Sequence, residues 1–172
     1  CDSVVLTDGH PDCVANQRVC LQMTRQHASG PGQGGSLNRV KCEQMRWSKD
    51  DVLGDVTRVM NIVGGRLFDV IVVADCLFFR DFHDDLLWVL RRCLTQLGVV
   101  LLLQPRRADS MQLFLEKAGK TFHVRIEEDY NDDVVEMVGR YKENALKNGF
   151  DTDLHAPVLV TLQRKEAEAD SK

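Results

Sequence analysis

Four short motifs with polar or aromatic side chains follow apolar, strand-like segments of this sequence. They are Asp8 with Gly9, Trp47 after Arg46, Ala74 with Asp75, and Arg106 with Arg107 after Pro105. A carboxylate at the end of a strand can accept hydrogen bonds from both hydroxyls of a ribose, and an aromatic ring can stack on a purine base. The pattern therefore predicts nucleotide-cofactor chemistry, with Asp8 and Trp47 as candidate ligands of the ribose and the base.

Each of these motifs also has a purely structural interpretation. Asp8 with Gly9 is equally typical of a turn, and Trp47 is equally typical of a half-buried core aromatic. Asp75 follows an apolar strand at a position where a carboxylate has no packing role, so a functional interpretation is favoured there. Arg106 and Arg107 fit either an acidic partner or a pair of solvated surface charges.

The elements that must position these motifs alternate between strand-like and helical patterns. The predicted strands are Val4–Thr7, Val40–Met45, Phe68–Ala74, Val99–Leu103, Phe122–Ile126 and Val158–Leu162, with helical patterns between them. The continuous apolar runs at 68–74 and 99–103 indicate strands covered on both faces. This alternation predicts an α/β fold, a mostly parallel sheet with helices on both faces, which binds ligands beyond the carboxyl ends of its strands.

The first predicted helix begins at Pro11 and places Ala15, Val19 and Met23 on one face. It is followed by the glycine-rich segment His27–Ser36. A phosphate-binding glycine loop needs a strand before it and a helix after it, so a flexible loop is favoured here instead. We expect one domain over residues 1–165 and a polar tail over 166–172.

Composition and charge exclude several classes of function. The 172 residues carry 22 basic and 26 acidic side chains, a net charge of -4, which argues against a nucleic-acid or polybasic membrane surface. No apolar run approaches the about 20 residues of a membrane span. Five scattered histidines predict no metal site. Six cysteines without a Cys-x-x-Cys pair predict free thiols in a reducing compartment, the cytoplasm or the nucleus.

Taken in order, the motifs carry a family resemblance over roughly Val4–Leu162. The matching segments are VVLTDGHPDCVANQ, RW, FDVIVVADCLFF, FHDDLL and QPRR. This series resembles the seven-strand, S-adenosylmethionine-dependent protein-lysine methyltransferases, and within them the enzymes that methylate calmodulin. The resemblance implies a Rossmann-like sheet of strand order 3-2-1-4-5-7-6, S-adenosyl-L-methionine as cofactor, and a protein substrate, calmodulin or another acidic protein.

The resemblance also assigns roles to residues of this sequence. It implies that Asp8 binds the cofactor ribose, that Trp47 lines the adenine pocket, and that Ala74 contacts the cofactor. Related enzymes carry an Asp-x-x-Tyr element beside the target lysine, which is Asp75-Cys76-Leu77-Phe78 here. Asp75 would orient the lysine amine, and Phe78 would contact the substrate without the tyrosine hydroxyl. Finally, Arg106 and Arg107 would dock an acidic substrate.

The chain departs from the family pattern ahead of Asp8. In nucleotide-binding folds the glycine-rich turn lies about 20 residues before such an acid, so the family's first strand and glycine loop are expected to be absent here. We therefore expect an N-terminally truncated methyltransferase. The alternatives are a non-catalytic form that retains only partner binding, and a nicotinamide-dependent dehydrogenase, which would share Asp8 but leave the 74–79 motif unexplained.

Overall fold

The structure is a computed structural model that describes residues 2–27 and 37–166. The chain divides into two compact units, Cys1–Leu67 and Phe68–Lys172. Residues 28–36 of the predicted glycine-rich loop and residues 167–172 of the predicted tail lie outside the described residues. The prediction of a single domain over residues 1–165 stays a prediction.

The first unit contains two strands and two helices in its described part. They are β1 (Val4–Asp8), α1 (Pro11–His27), β2 (Val40–Gln44) and α2 (Asp55–Ile62). The two strands form a parallel pair in which Val4 is opposite Val40 and Asp8 is opposite Gln44. Because the pair is parallel and in register, the carboxyl ends of both strands lie at the same edge.

The core of the first unit uses a different face of α1 from the predicted one. Val14 is the buried residue of this helix, whereas Val19 and Met23 are more than half exposed. Val19 and Met23 lie about 140° and about 180° around the helix from Val14, so they point away from the buried side. The packed apolar residues of α2, Val56 and Val59, complete this small core.

The second unit contains four strands with helices between them. Its elements are β3 (Phe68–Ala74), a 3-10 turn (Arg80–Phe82), α3 (His83–Cys93), β4 (Leu94–Gln104), α4 (Ser110–Ala118), β5 (Phe122–Glu127), α5 (Asp132–Glu143), α6 (Ala145–Asn148), α7 (Thr152–His155) and β6 (Val158–Arg164). The strand order is β3-β4-β6-β5. β3 and β4 are parallel, and β6 is antiparallel to both of its neighbours.

One face of this sheet forms the core of the second unit. Alternate residues of β4 and β6 are buried, and each buried side chain of this size contributes about 1.5–3 kcal/mol to the free energy of folding. The buried side chains of the sheet and the helices include Leu86, Leu90, Val100, Leu102, Phe114, Ala118, Val160 and Leu162. β3 is an edge strand among the described residues. The prediction that the 68–74 strand is covered on both faces is wrong for these residues, because Val70 and Val72 on one face are 52% and 65% exposed.

β4 begins earlier than the sequence indicates. We predicted a strand over Val99–Leu103, with Gly98 following the end of the preceding helix, but the strand starts at Leu94 directly after α3. Gly98 lies inside it, where an added Cβ would come within 2.7 Å of Leu94 Cδ1. A side chain here would force the Leu94 and Thr95 side chains to move, so close packing favours glycine at this register shift in the β3–β4 pairing.

The α/β class is confirmed, and each unit reproduces part of the expected strand order. The pair β2-β1 corresponds to 3-2 in the order of the family sheet, and β3-β4-β6-β5 corresponds to 4-5-7-6. The four-stranded sheet is mixed rather than mostly parallel, because β6 is antiparallel to β4 and β5, whereas the β1–β2 pair is parallel as predicted. No strand of the described residues takes the place of the family's first strand.

Candidate functional site

The first candidate region lies at the carboxyl edge of β1 and β2, where Asp8 and Trp47 were expected to meet. The Met45 N–H donates to the carbonyl oxygen of Asp8 at 2.9 Å, and the Gln44 side-chain amide donates to the carbonyl of Gly9 at 2.8 Å. A Cβ on Gly9 would lie 3.7 Å from Cγ of Arg46. The segment that leads to Trp47 is thus fixed against Asp8 and Gly9.

Asp8 serves the turn that follows β1 and keeps part of its carboxylate available. Its Oδ1 accepts the backbone N–H of His10 at 2.7 Å, an Asx turn of the kind that short acidic side chains form. Its Oδ2 accepts no hydrogen bond from a described residue. The structural interpretation of Asp8 is therefore correct, and it leaves one oxygen free for a ligand hydroxyl.

A buried carboxylate that sequence reasoning missed fixes the start of the Trp47 segment. The Asp55 side chain is 2% exposed. It accepts two hydrogen bonds from the Arg46 guanidinium, at 2.8 Å and 3.2 Å, and one from the Arg46 backbone N–H at 3.0 Å. A fourth hydrogen bond comes from the Arg58 guanidinium at 2.6 Å. Hydrogen bonds from Arg46 outweigh burial and hold the pKa of the Asp55 carboxyl well below its usual range. The spacing Asp55–Arg58, one helical turn at the start of α2, was the available signal.

The second candidate region lies in the second unit, at the carboxyl ends of β3 and β4. The Asp75 N–H donates to the carbonyl of Leu103 at 3.0 Å, which extends the strand pairing to the first residue after β3. Gln104 is buried, and its Oε1 accepts the N–H groups of Cys76 and Leu77 at 2.9 Å and 3.1 Å. Its amide nitrogen donates to Asp75 Oδ1 at 3.3 Å and to the Pro105 carbonyl at 3.0 Å. Gln104 therefore anchors the turn that carries Asp75.

Asp75 is bound by Arg107 in a bidentate pair. Arg107 Nε donates to Oδ1 at 2.8 Å and Nη2 donates to Oδ2 at 2.6 Å. The guanidinium carbon also lies 5.7 Å from the centre of the Phe78 ring, within cation–π range. Hydrogen bonds from Arg107 lower the pKa of Asp75, so its carboxyl is ionised at neutral pH.

The two neighbouring arginines have different partners. Arg106 forms an ion pair with Glu128, whereas Arg107 pairs with Asp75. Sequence reasoning treated them as one docking pair and did not indicate either acidic partner, because both partners lie more than 20 residues away along the chain. Their role in docking a substrate stays a prediction.

The surroundings of Asp75 exclude nucleophilic catalysis by the neighbouring cysteine. Burial raises the pKa of the Cys76 thiol to about 12, so this cysteine is not a thiolate nucleophile at neutral pH. Phe78 is 47% exposed and its ring centre is 4.1 Å from that of Phe79. The region thus offers a carboxylate and exposed aromatic faces, which suit binding of a cation.

The predicted site residues divide between the two units. Asp8 and Trp47 lie in the first unit, and Ala74, Asp75, Phe78, Arg106 and Arg107 lie in the second. The structure brings the Asp8 turn and the Trp47 segment together in one, and Asp75, Phe78 and Arg107 in the other. Among the described residues, no group of three or more metal-binding side chains occurs. Within those residues, no helix combines the length and the apolar character that a membrane crossing requires.

Comparison with solved structures gives only distant similarity. A protein described as a predicted O-methyltransferase from Agrobacterium tumefaciens matches with a TM-score of 0.48 and 13% identity, over 96% of this chain and 64% of that chain. Precorrin-6y C5,15-methyltransferase from Geobacter metallireducens matches with a TM-score of 0.47 and 14% identity, over 95% of this chain and 68% of that chain.

Comparison of sequences is more informative. A curated relative, calmodulin-lysine N-methyltransferase of Arabidopsis thaliana, is 26% identical over 134 residues, which are 76% of this chain. The chain spans 39% of the length of that relative. The sequence model of the lysine methyltransferase family matches residues 4–121, which include every strand-end motif described above. Because this match covers more than half of the chain, the chain belongs to the lysine methyltransferase family.

Proposed function

We propose that the chain functions as an S-adenosylmethionine-dependent protein-lysine N-methyltransferase whose substrate is calmodulin or a similar acidic protein. The observation that carries this proposal is the family match over residues 4–121. That stretch contains all the predicted site residues, Asp8, Trp47, Ala74, Asp75, Phe78, Arg106 and Arg107. The named activity of the Arabidopsis relative supports calmodulin as the substrate.

The edge of β1 and β2 fits the nucleoside part of the cofactor. Asp8 has one carboxylate oxygen free of hydrogen bonds from described residues, and Trp47 is partly exposed on a segment held against the same strand ends. Asp8 would accept a ribose hydroxyl and Trp47 would lie against the adenine ring. The cofactor, when bound, supplies a methyl group on a sulfonium. A contact of Ala74 with the cofactor stays a prediction from the family resemblance.

Asp75 would orient the lysine rather than remove its proton. A lysine amine must be neutral to accept a methyl group, and desolvation lowers the pKa of such an amine. Asp75 is a weak base at neutral pH because Arg107 lowers the pKa of its carboxyl. A carboxylate accepting a hydrogen bond from the amine can still fix its direction, which accounts for much of the rate of such a transfer.

Charge on this surface supports an acidic substrate. Arg106 is 40% exposed, and its partner Glu128 is also at the surface, so the pair can open toward an approaching protein at little cost. Complementary charge at the rim mainly accelerates association. We propose that the reaction takes place in the cytoplasm and also in the nucleus, because free cysteines suit a reducing compartment.

The proposal is tested by cofactor binding and by methyl transfer. Calorimetric titration with S-adenosylmethionine should show that Asp8→Asn weakens binding by about 1–3 kcal/mol, since a ribose hydroxyl loses its charged acceptor. Asp12→Asn is the matched control, because Asp12 is an exposed residue in the first turn of α1. Equal affinity of the Asp8 variant and the parent chain would make Asp8 a turn residue only.

Methyl transfer to unmethylated calmodulin is then followed by mass spectrometry of its lysines. Appearance of methyl-lysine that depends on the chain supports the enzymatic proposal. Binding of calmodulin without any transfer would overturn it in favour of a non-catalytic, partner-binding form. A reaction with a nicotinamide cofactor in place of S-adenosylmethionine would overturn both.

A further inference from the structure

Arg107 occupies a small site whose chemistry is that of a cation receptor. Its guanidinium is bound by both oxygens of Asp75 on one side and lies over the Phe78 ring on the other. A carboxylate combined with an aromatic face is the arrangement that proteins use to bind ammonium and guanidinium groups. The same two groups would accept the ammonium of a lysine side chain on entry, before the loss of the proton that methyl transfer requires.

The backbone around this site is held in an uncommon conformation. Asp75, Arg107 and Ala108 have φ angles of 44°, 47° and 56°, in the left-handed region that side chains other than glycine disfavour. Such positions persist only where surrounding contacts fix them, and they concentrate at binding and catalytic sites. Here the buried Gln104 fixes the Asp75 turn, and the Arg107 N–H donates to the Asp153 carbonyl at 2.9 Å.

The pair is nevertheless open to exchange. The Arg107 side chain is 31% exposed and the Asp75 side chain is 48% exposed. Ion pairs at this exposure contribute little to stability, because water stabilises the separated charges almost as well. Another cation that reaches the same carboxylate can therefore replace the guanidinium without disrupting the fold.

We infer that Asp75 and Phe78 form a binding site for a lysine ammonium, that Arg107 fills this site in the free chain, and that a substrate lysine enters by displacing Arg107. The inference rests on the proposed function for the identity of the substrate. It makes Arg107 a competitor of the substrate and a specificity-determining residue, since only a cation can exchange with it. This is the opposite of the docking role that sequence reasoning gave to Arg107.

The sign of one substitution separates the two roles. Arg107→Gln removes the competing charge and should strengthen binding of a lysine-like cation, whereas loss of a docking charge would weaken binding of an acidic protein. Arg106→Gln is the matched control, because it removes the same charge one residue away from a side chain that pairs with Glu128 instead of Asp75.

The first measurement needs neither calmodulin nor the cofactor. n-Butylammonium, which carries the lysine ammonium on a four-carbon chain, is titrated into the isotope-labelled chain while the amide signals of residues 75–79 are followed by NMR. We expect Arg107→Gln to lower the half-saturating concentration at least threefold and Arg106→Gln to leave it within twofold of the parent. The double variant Asp75→Asn with Arg107→Gln should lose the saturable response, and amide dispersion shows that each variant is folded.

An Arg107→Gln variant with unchanged or weaker amine binding would overturn the inference. So would an undiminished response in the double variant, because the site would then not involve Asp75. The second measurement gives the apparent calmodulin constant of methyl transfer, which Arg107→Gln should lower and Arg106→Gln should not. If Arg107→Gln transfers methyl groups with an unchanged or higher apparent calmodulin constant, the displacement of Arg107 is rejected, but the proposed function is not. If neither the parent chain nor any variant transfers methyl groups, but n-butylammonium binds as expected, the proposed function is rejected and the cation-binding site is retained.

Discussion

Asp55 and Asp75 are both carboxylates bound by arginine, one in each unit, but their surroundings differ. Asp55 is 2% exposed, begins a regular helix and binds two arginines as well as a backbone N–H. Asp75 is 48% exposed, directly follows β3 and binds one arginine. Its own backbone has a left-handed φ. The Asp55 carboxylate is therefore buried at the start of a helix, while its arginines Arg46 and Arg58 are 46% and 42% exposed, and the Asp75 carboxylate is half-exposed.

The comparison separates a structural ion cluster from an exchangeable one. A buried carboxylate cannot lose its partners without leaving an uncompensated charge, so Asp55 fixes Arg46 and thereby the segment of Trp47. A half-exposed carboxylate can change partners, because water covers it during the exchange. The same pair of residue types thus fixes geometry in one unit and offers a binding site in the other.

The largest expected difference between the clusters is in stability. Asp55→Ala removes four hydrogen bonds and a buried charge, and we expect it to lower the unfolding free energy of the first unit by about 2–3 kcal/mol. Asp75→Ala should lower that of the second unit by a small fraction of this amount. Hydrogen exchange of peptides from α2 and from β3, followed by mass spectrometry, measures the two units separately.

Asp50→Ala is the control for this comparison, because Asp50 is an exposed turn residue of the same segment. It should leave exchange in α2 unchanged. Equal losses from Asp55→Ala and Asp75→Ala would show that exposure does not distinguish the clusters. The division into a structural and an exchangeable pair would then be wrong.

The second-largest expected effect is that of acid, which should reduce the contribution of Asp55 to the stability of the first unit. The folded-state pKa of Asp55 is lowered, so its contribution is fully present above the unfolded value of about 3.9 and is lost as pH falls through the folded-state pKa. We expect exchange in α2 to accelerate between pH 5 and pH 3, after correction for intrinsic rates. In Asp55→Asn the stability of α2 should depend less steeply on pH. An equally steep dependence would show that other carboxylates cause the acid sensitivity.

Much of the fold and part of each site could be predicted from the sequence. The apolar run of 68–74 and the β-branched Val4–Thr7 identify strands, and parallel strands necessarily bring Asp8 near the residues that follow Gln44. The partners of Asp75 and Arg106 could not be predicted, because they lie 32 and 22 residues away along the chain, and such pairing depends on loop geometry. The start of β4 was predicted wrongly because of Gly98. A glycine that follows a helix and a glycine in a crowded strand cannot be distinguished in the sequence.

A smaller difference concerns the backbone at the two clusters. Gly54, immediately before Asp55, has a φ of 65°, and no heavy atom lies within 4 Å of an added Cβ. Gly54→Ala is therefore opposed by backbone strain alone, and we expect it to lower the unfolding free energy of the first unit by about 1 kcal/mol. Gly139→Ala is the control, because Gly139 lies within α5 in equally open space and alanine favours a helix. A loss in Gly139→Ala as large as that in Gly54→Ala would show that the left-handed φ of Gly54 does not cause the loss.

The smallest expected effect is at Ala108, which has a left-handed φ of 56° beside Arg107 without the freedom of a glycine. Ala108→Gly removes the steric strain of the Cβ, but it also gives the unfolded chain more conformations, and the two contributions nearly cancel. We expect the unfolding free energy of the second unit to rise by a few tenths of a kcal/mol, about half of the Gly54→Ala effect or less, with opposite sign. Urea unfolding followed by hydrogen exchange in α4 and β4 measures it. A loss of more than about 1 kcal/mol would mean that Ala108 is not strained, and the contrast between a relaxed backbone at Asp55 and a strained one at Arg107 would fail.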